Sequence, residues 1–331
     1  MRGCPETLPL GRGAGPAREP GIDKGGPMLF SVSPFRGHRA VSLWLVLTAL
    51  ALLLTAGCGP SAAEKKADPE RLPVAATFYP MAEFVRQVGG DHVQVTTLVP
   101  DGTEPHDWEP KASDLGTMAA SRLFLYNGGV EGWVPQALAS IGKGKVNALE
   151  AGRGLIQDGD PHVWNSPRQA MREVQVIRDE LIRLDPAHQA DYERNGAAYL
   201  KKLGDLDQEL SLVAATAKRK EFVTTHAAFG YVARDYGLTQ IPVMGINPEA
   251  EPAPAEMARL VHLMQERGIR YVAFETLVSP KVAETLAKST GAQTYVLNPL
   301  EGLTKEERAR GEDFVTVMAR NIRSLKTALN E

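Results

Sequence analysis

The chain has 331 residues, of which 43% are hydrophobic and 23% charged, and this composition is typical of one large globular domain or two smaller ones. The formal net charge of −3 argues against a basic surface for nucleic acid. Only Cys4 and Cys58 are cysteines, so a domain that follows Cys58 has no internal disulfide and depends on its core for stability.

A long apolar run lies near the N-terminus. Residues 40–57 (AVSLWLVLTALALLLTAG) follow Arg39, and Cys58 comes directly after them. This is the pattern of a secretory signal, although about 18 apolar residues could also just span a bilayer. Because LTAGC (54–58) resembles a bacterial lipobox, we favour cleavage before Cys58 and lipid attachment to its thiol. A signal of ordinary proportions begins at Met28, which we predict to be the true start.

From Pro73 onward, short apolar strands alternate with helical stretches. The first half predicts strands at 74–79, 93–99 and 122–127, with helices at 81–89 and near 111–120. The second half predicts strands at 221–225, 239–244, 269–274 and 294–297, with helices at 230–236, 254–267, 280–289 and the C-terminus. This alternation is typical of mainly parallel sheets covered by helices, so we predict an α/β fold with two lobes.

Residues 185–220 form the longest helical pattern and separate the two halves. Pro186 suits a first helical turn, and Leu200, Leu203, Leu206 and Leu210 form an apolar stripe. The pattern fits an ordinary amphipathic helix or a rigid connector between lobes. We expect five segments: an N-terminal extension with signal peptide (1–57), a lipidated tether (58–72), a first lobe (73–184), a connecting helix (185–220) and a second lobe (221–331). Parallel α/β sheets bind ligands beyond their carboxyl ends, which predicts a ligand in the cleft between the lobes.

Three histidines lie in loops that follow strands or precede helices. His106 and His162 are flanked by prolines, and His226 directly follows a predicted strand. A single loop histidine is more often a surface residue than a ligand. Three such histidines, together with Glu301 just beyond the last strand, predict a site for a divalent metal, since zinc binds neutral imidazole and carboxylate in four-coordinate sites.

Four segments carry a resemblance to a known family: GTEPHDWEP (102–110), DPHVWNSP (160–167), THAAFGYVARDYGL (225–238) and LNPLEGLT (297–304). In order and spacing they resemble motifs of the zinc- and manganese-binding subunits of ABC importers, the ZnuA- and TroA-like proteins. The resemblance runs from about Pro73 to the C-terminus and includes FETLVSPKVAETLA (274–287). It implies two α/β lobes joined by one long helix, a metal ion in the interlobe cleft, and delivery of that ion to a membrane permease.

The same resemblance implies three ligands. His106, His162 and His226 match the three ligand positions of the family. Manganese-type members often carry glutamate at the third position, where this chain has His226. Imidazole there favours Zn²⁺ over Mn²⁺, because manganese prefers oxygen ligands.

The resemblance leaves the fourth ligand open. Many members carry aspartate where this chain has Asn298, whereas members with the same NPLE sequence use its glutamate. We therefore expect Glu301 as the fourth ligand, with Asn298 or a water as the alternative. Glu275 either accepts a hydrogen bond from a ligand histidine or caps the helix that follows Pro280.

We predict a monomeric, non-enzymatic, exported protein that binds Zn²⁺ and delivers it to the permease of an ABC importer. It would be anchored through lipid on Cys58 to the outer face of the cell membrane or lie in the periplasm. A manganese- or iron-binding member of the family and an adhesin are alternatives. A zinc-dependent hydrolase is another, because three histidines and an open position also describe catalytic zinc, but the sequence contains neither HExxH nor GxSxG.

Overall fold

The computed structural model describes residues 70–331, so the predicted start at Met28, the signal, the lipidation at Cys58 and most of the tether lie outside the described residues. The strands in this range are β1 Leu72–Ala76, β2 Val93–Thr97, β3 Leu123–Tyr126, β4 Ala148–Glu150, β5 Glu221–Thr224, β6 Thr239–Pro242, β7 Tyr271–Phe274 and β8 Gln293–Val296. The helices are α1 Tyr79–Gly89, α2 Ala112–Ala120, α3 Val134–Ile141, α4 Pro167–Leu184, α5 Gln189–Thr216, α6 Gly230–Tyr236, α7 Pro254–Arg267, α8 Lys281–Thr290, α9 Lys305–Ala309 and α10 Phe314–Asn330.

The strands form two four-stranded sheets with the same topology. The strand orders are β2-β1-β3-β4 and β6-β5-β7-β8, and all neighbouring strands are parallel. The predicted α/β fold with two lobes is confirmed. Since parallel strands of one sheet all end at the same edge, the loops that follow them converge there.

Local sequence explains where several helices begin and end. Proline stands in the first turn of α1, α3, α4 and α7, where its missing N–H breaks no intrahelical bond. Helices α6, α7 and α8 each end at a glycine in the left-handed region: Gly237, Gly268 and Gly291, with φ of 65°, 59° and 74°. The short elements α3, β4 and α9 were not predicted, because so few residues carry no clear periodicity.

The observed connecting helix is shorter than the predicted segment 185–220. A 3₁₀ turn, Pro186–His188, precedes α5, which spans 28 residues from Gln189 to Thr216. Asp185 has φ −143° and ψ 70°, since proline disfavours the helical conformation in the residue before it. The Asp185 carboxylate accepts a hydrogen bond of 2.6 Å from the Tyr192 hydroxyl and thereby fixes the break.

Helix α5 and the C-terminal helix α10 join the two halves into one core. Leu203, Leu206 and Leu210 of the predicted stripe are buried in α5. The ring of Phe84 in α1 lies 5.0 Å from that of Phe314 in α10, measured between centroids. The lobes therefore share apolar packing. Within residues 70–331, no helix combines the length and the apolar character needed to cross a membrane.

Glu131 and Glu173 are two of the buried carboxyl groups in the first lobe. Glu131 accepts hydrogen bonds from the Thr77 hydroxyl (2.6 Å) and from the backbone N–H groups of Asn127 and Gly128 (3.0 Å each). Glu173 in α4 is fully buried, and neither of its carboxyl oxygens has a hydrogen-bond partner among the described residues. Burial, together with the charge of Glu131, raises the pKa of Glu173 well above its ordinary range and so favours the neutral form in the folded protein.

The raised pKa of Glu173 predicts a pH-dependent effect of Glu173→Gln on stability. The pKa of Glu173 is about 4.5 in the unfolded chain and higher in the folded protein. The folded protein is therefore most stable, with respect to this group, below pH 4.5. That stability is lost as the pH rises from 4.5 through the raised pKa. Glutamine does not ionise, so the change in Tm caused by Glu173→Gln should be more favourable at pH 8 than at pH 5, by at least about 2 °C. Thermal unfolding at both pH values measures this.

Glu180→Gln in the same helix is the matched control. Arg183 donates hydrogen bonds to the Glu180 carboxylate and lowers its pKa below the ordinary 4.5, so Glu180→Gln should lower Tm by a similar amount at pH 5 and pH 8. An equal effect of Glu173→Gln at pH 5 and pH 8 would contradict the assignment of a neutral Glu173.

Candidate metal centre

Three imidazoles and one carboxylate converge where the parallel strands of the two sheets end. The Nε2 atom of His162 lies 3.2 Å from His106 Nε2, 3.4 Å from His226 Nε2 and 3.2 Å from Glu301 Oε1. Glu301 Oε1 lies 3.3 Å from His106 Nε2 and 3.6 Å from His226 Nε2. All four donor atoms lie within 4.8 Å of one another.

Five of the six donor–donor distances match the edges of a tetrahedron. Ligand atoms 2.0–2.1 Å from a tetrahedral zinc ion are about 3.3–3.4 Å apart. The five distances above range from 3.2 to 3.6 Å. His162, His226 and Glu301 are also almost completely buried, so a cation here would be held away from bulk water. The donor set therefore fits a four-coordinate divalent metal with nitrogen as its main ligand.

The loop between β2 and α2 carries His106. Its start is attached to the sheet by the Val99 N–H, which donates to the Thr77 carbonyl at 2.8 Å. Next to the histidine, the Glu104 carboxylate accepts the His106 N–H at 3.1 Å. An open cavity of about 530 Å³ borders His106, with Trp108 and other residues in its walls. His106 is thus the donor nearest to solvent.

His162 lies in the segment between β4 and α4. The Asp160 carboxylate accepts the His162 backbone N–H at 3.0 Å, and the same oxygen lies 2.9 Å from Nδ1 of the His162 ring. Two residues later, Trp164 Nε1 donates to the Pro299 carbonyl at 2.8 Å. Asp160 therefore orients the ring, while Trp164 joins this segment to the loop that carries Glu301.

His226 follows β5 and is held in a similar way. Glu275, directly after β7, has one carboxylate oxygen 2.7 Å from His226 Nδ1. Its other oxygen accepts the His226 backbone N–H at 3.3 Å and a hydrogen bond from the Thr225 hydroxyl. A carboxylate beside Nδ1 leaves Nε2 available to bind a metal, and this arrangement accompanies most metal-bound histidines. It occurs at both His162 and His226.

Glu301 is placed by a loop that Asn298 stabilises. The Asn298 side-chain oxygen accepts the Leu300 N–H at 2.7 Å, and Leu300 adopts a positive φ of 60°. The Asn298 side-chain nitrogen donates to Glu307 at 3.2 Å, and its backbone N–H donates to Asn321 Oδ1 at 2.9 Å. The structure thus places Asn298 outside the donor cluster.

Burial and proximity shift the pKa values of these groups. Although burial lowers the pKa of His226, the charges of Glu275 and Glu301 raise it to about 10. The pKa of His162 is also raised, because Asp160 and Glu301 outweigh the effect of burial. Burial would raise the pKa of Glu301, but its contacts with the three imidazoles hold it well below the ordinary range. Burial and the charge of Glu301 raise the pKa of Glu104 to about 9.

The structure thus brings together His106, His162, His226 and Glu301, the four predicted ligands. Glu275 lies against His226 and does not cap the helix after Pro280. Sequence reasoning missed the roles of Asp160 and Glu104. The acid two residues before each histidine, in DPH and EPH, was the available signal, since such an acid can accept the N–H of that histidine.

Comparison with known proteins places these features in a family. Residues 74–328 match the ZnuA family profile, described as "Zinc-uptake complex component A periplasmic". The chain is 40% identical to the high-affinity zinc uptake system protein ZnuA of Bacillus subtilis, over 86% of this chain and 97% of that protein. It is 39% identical to the zinc-binding lipoprotein AdcA of Streptococcus pneumoniae, over 87% of this chain but only 61% of AdcA.

A solved structure agrees with this assignment. The crystal structure of the Zn(II)-bound ZnuA-like domain of S. pneumoniae AdcA aligns with a TM-score of 0.72 and 41% identity, over 79% of this chain and 100% of that domain. Profile, sequence and structure therefore agree over the whole two-lobed part of the chain. The chain belongs to the ZnuA family.

Proposed function

We propose that this protein binds one Zn²⁺ as its cargo between His106, His162, His226 and Glu301. The observation that carries the proposal is the set of five donor–donor distances between 3.2 and 3.6 Å, which suit a tetrahedral ion. The names of the matched relatives support zinc as the ion. Three nitrogen donors also favour zinc over manganese, which prefers oxygen.

A binding role is a better explanation of the site than hydrolysis. Catalytic zinc keeps one position open for the water that it activates. Here Glu301 lies within 3.6 Å of all three imidazole nitrogens and would fill that position. The protein would therefore hold the ion without chemical change.

The family description names a periplasmic component of a zinc-uptake complex. This supports a protein that binds the ion outside the cytoplasm and delivers it for uptake. In this proposal the protein passes Zn²⁺ to the permease of an ABC importer. Residues 73–184 and 221–331 are the lobes around the ion, and 185–220 connects them. Lipid on Cys58 and the tether 58–72 would attach the monomer to the membrane, as the description of AdcA as a lipoprotein suggests.

Substitution of each proposed ligand should remove tight zinc binding. In purified metal-free protein we expect one equivalent of Zn²⁺, with affinity lowered more than about 100-fold in His106→Ala, His162→Ala, His226→Ala and Glu301→Ala. Asp160→Asn and Glu275→Gln should lower it about 10- to 100-fold, because they orient ligands without binding the ion. Competition titration against a zinc chelator of known affinity measures these changes.

His262→Ala, in α7 and outside the cluster, is the control and should bind zinc like the wild type. Tighter binding of Mn²⁺ than of Zn²⁺ would retain the family and overturn the choice of metal. Absence of any tight equivalent in the wild type would refute the proposed function.

Zinc binding should release protons near neutral pH. Because the pKa of His226 is raised to about 10, its imidazole is protonated at pH 7.5 and must lose a proton before Nε2 can bind the ion. The apparent zinc affinity should therefore rise with pH up to about 10 and fall toward pH 6.5. Calorimetry at pH 7.5 in buffers of different ionisation enthalpy counts the protons released.

Glu275→Gln removes the charge that contributes most to the raised pKa of His226, so it should release fewer protons at the same pH. A wild-type affinity that does not change with pH across this interval would show that the imidazoles are already neutral in the metal-free protein.

A further inference from the structure

The polar contacts between the lobes are buried on one side of the metal centre and exposed on the other. On the side of His162 they are buried: Trp164 Nε1 donates to the Pro299 carbonyl at 2.8 Å, and Asn165 Nδ2 donates to the Ala228 carbonyl at 3.0 Å. Trp164 and Asn165 are both fully buried. The segment that carries His162 is thus bound to the loops that carry Glu301 and His226.

The loop that carries His106 reaches the second lobe through exposed groups. Arg308 Nη2 and Nε donate to the two carboxylate oxygens of Asp101 at 2.7 and 3.0 Å, and these side chains are 43% and 42% exposed. In a second exposed contact, Asn247 Nδ2 lies 3.4 Å from Asp107 Oδ1. The cavity that borders His106 lies on the same loop. Solvent therefore reaches the metal centre most closely where the contacts between the lobes are exposed.

Asp101 and Arg308 connect two ligand loops. Asp101 precedes His106 by five residues, and Arg308 follows Glu301 by seven, in the short helix α9. This helix is itself fixed, because the Glu307 carboxylate accepts the Thr304 N–H at 2.9 Å and contacts the Asn298 side chain at 3.2 Å. Arg308 therefore projects from the same hydrogen-bonded unit that places Glu301.

We propose that the Asp101–Arg308 ion pair is a latch across the cleft, which holds the His106 loop closed and slows the loss of the bound ion. This inference rests on the proposed function, since its main consequence is the rate at which zinc leaves. Both residues are positioning residues and neither binds the ion. The latch is expected to act on His106, the one donor that the buried contacts do not hold.

Geometry and exposure set the size of the effect. A guanidinium with two parallel hydrogen bonds to a carboxylate is the strongest form of exposed ion pair, and Arg308 also lies 5.5 Å from the Tyr79 ring centroid. Solvent nevertheless screens such pairs, which contribute little in most proteins. We therefore expect loss of the latch to accelerate zinc release about threefold to fivefold.

The test measures zinc transfer from the full-length protein to an excess of fluorescent chelator by stopped flow. Asp101→Asn and Arg308→Gln should each release zinc about threefold to fivefold faster, and the double variant should be no faster than either single one. The exchanged pair Asp101→Arg with Arg308→Asp should restore most of the slow rate. Added salt should accelerate release from the wild type more than from the variants.

Arg310→Gln is the matched control, because Arg310 forms an exposed ion pair with Glu312 on the same lobe at 2.7 Å. It should release zinc at the wild-type rate. Wild-type rates in Asp101→Asn and Arg308→Gln, or rate effects that simply add in the double variant, would overturn the latch while leaving the proposed function intact.

A second measurement does not require zinc. In metal-free protein, the backbone amides of residues 99–110 should exchange hydrogen faster in Asp101→Asn and Arg308→Gln than in the wild type or Arg310→Gln. If the wild type bound no zinc, the proposed function would fail and this comparison would still decide the latch. Equal exchange in all four proteins would overturn it.

Discussion

The Glu301 carboxylate is almost completely buried, and three imidazoles surround it. A buried charge is unfavourable unless an opposite charge and hydrogen bonds compensate it. The charges of Glu275 and Glu301 raise the pKa of His226, and contacts with the three imidazoles lower the pKa of Glu301, so a protonated histidine would supply that charge in the metal-free protein. A divalent cation satisfies the same requirement more completely. The electrostatics that stabilise the closed site without metal are therefore those that attract the metal.

The loops around the site follow from this requirement. A carboxylate oxygen of Asp160 lies 2.9 Å from His162 Nδ1, and one of Glu275 lies 2.7 Å from His226 Nδ1, so both Nε2 atoms point toward Glu301. These carboxylates come from different lobes and produce the same orientation. The two sheets repeat one topology, and each contributes an acid that orients a histidine close to its carboxyl edge.

Sequence reasoning identified the four residues of the donor cluster because strand ends are predictable from sequence and parallel strands end at one edge. His226 and Glu301 each follow a short apolar strand, so the topology alone places them near each other. The direction of Asn298 could not be predicted in this way. Its side chain is turned from the site by Glu307, and its backbone is held by Asn321 in α10, which is 23 residues away in sequence.

The connecting helix and the acids that contact the histidines also have features that sequence patterns could not predict. The leucine stripe of α5 was visible from its period, but the break at Asp185 depends on Pro186 and on a hydrogen bond from Tyr192. Asp160 stands in a recognised motif, yet its function depends on where its carboxylate points. Local patterns thus predicted which segments form the site, whereas tertiary contacts decided which atoms face it.

The distribution of contacts gives the four donors different roles. His162, His226 and Glu301 lie on segments that buried hydrogen bonds join, and these contacts do not involve an ion. His106 alone lies on a loop beside an open cavity, with exposed polar contacts to the opposite lobe. If this loop moves away, three prearranged donors remain around the ion and one coordination position becomes accessible. A competing ligand can then enter without unfolding the site, because the buried contacts between the lobes are unaffected. If the proposed ligands and latch are correct, tight retention and release depend on different residues of one centre.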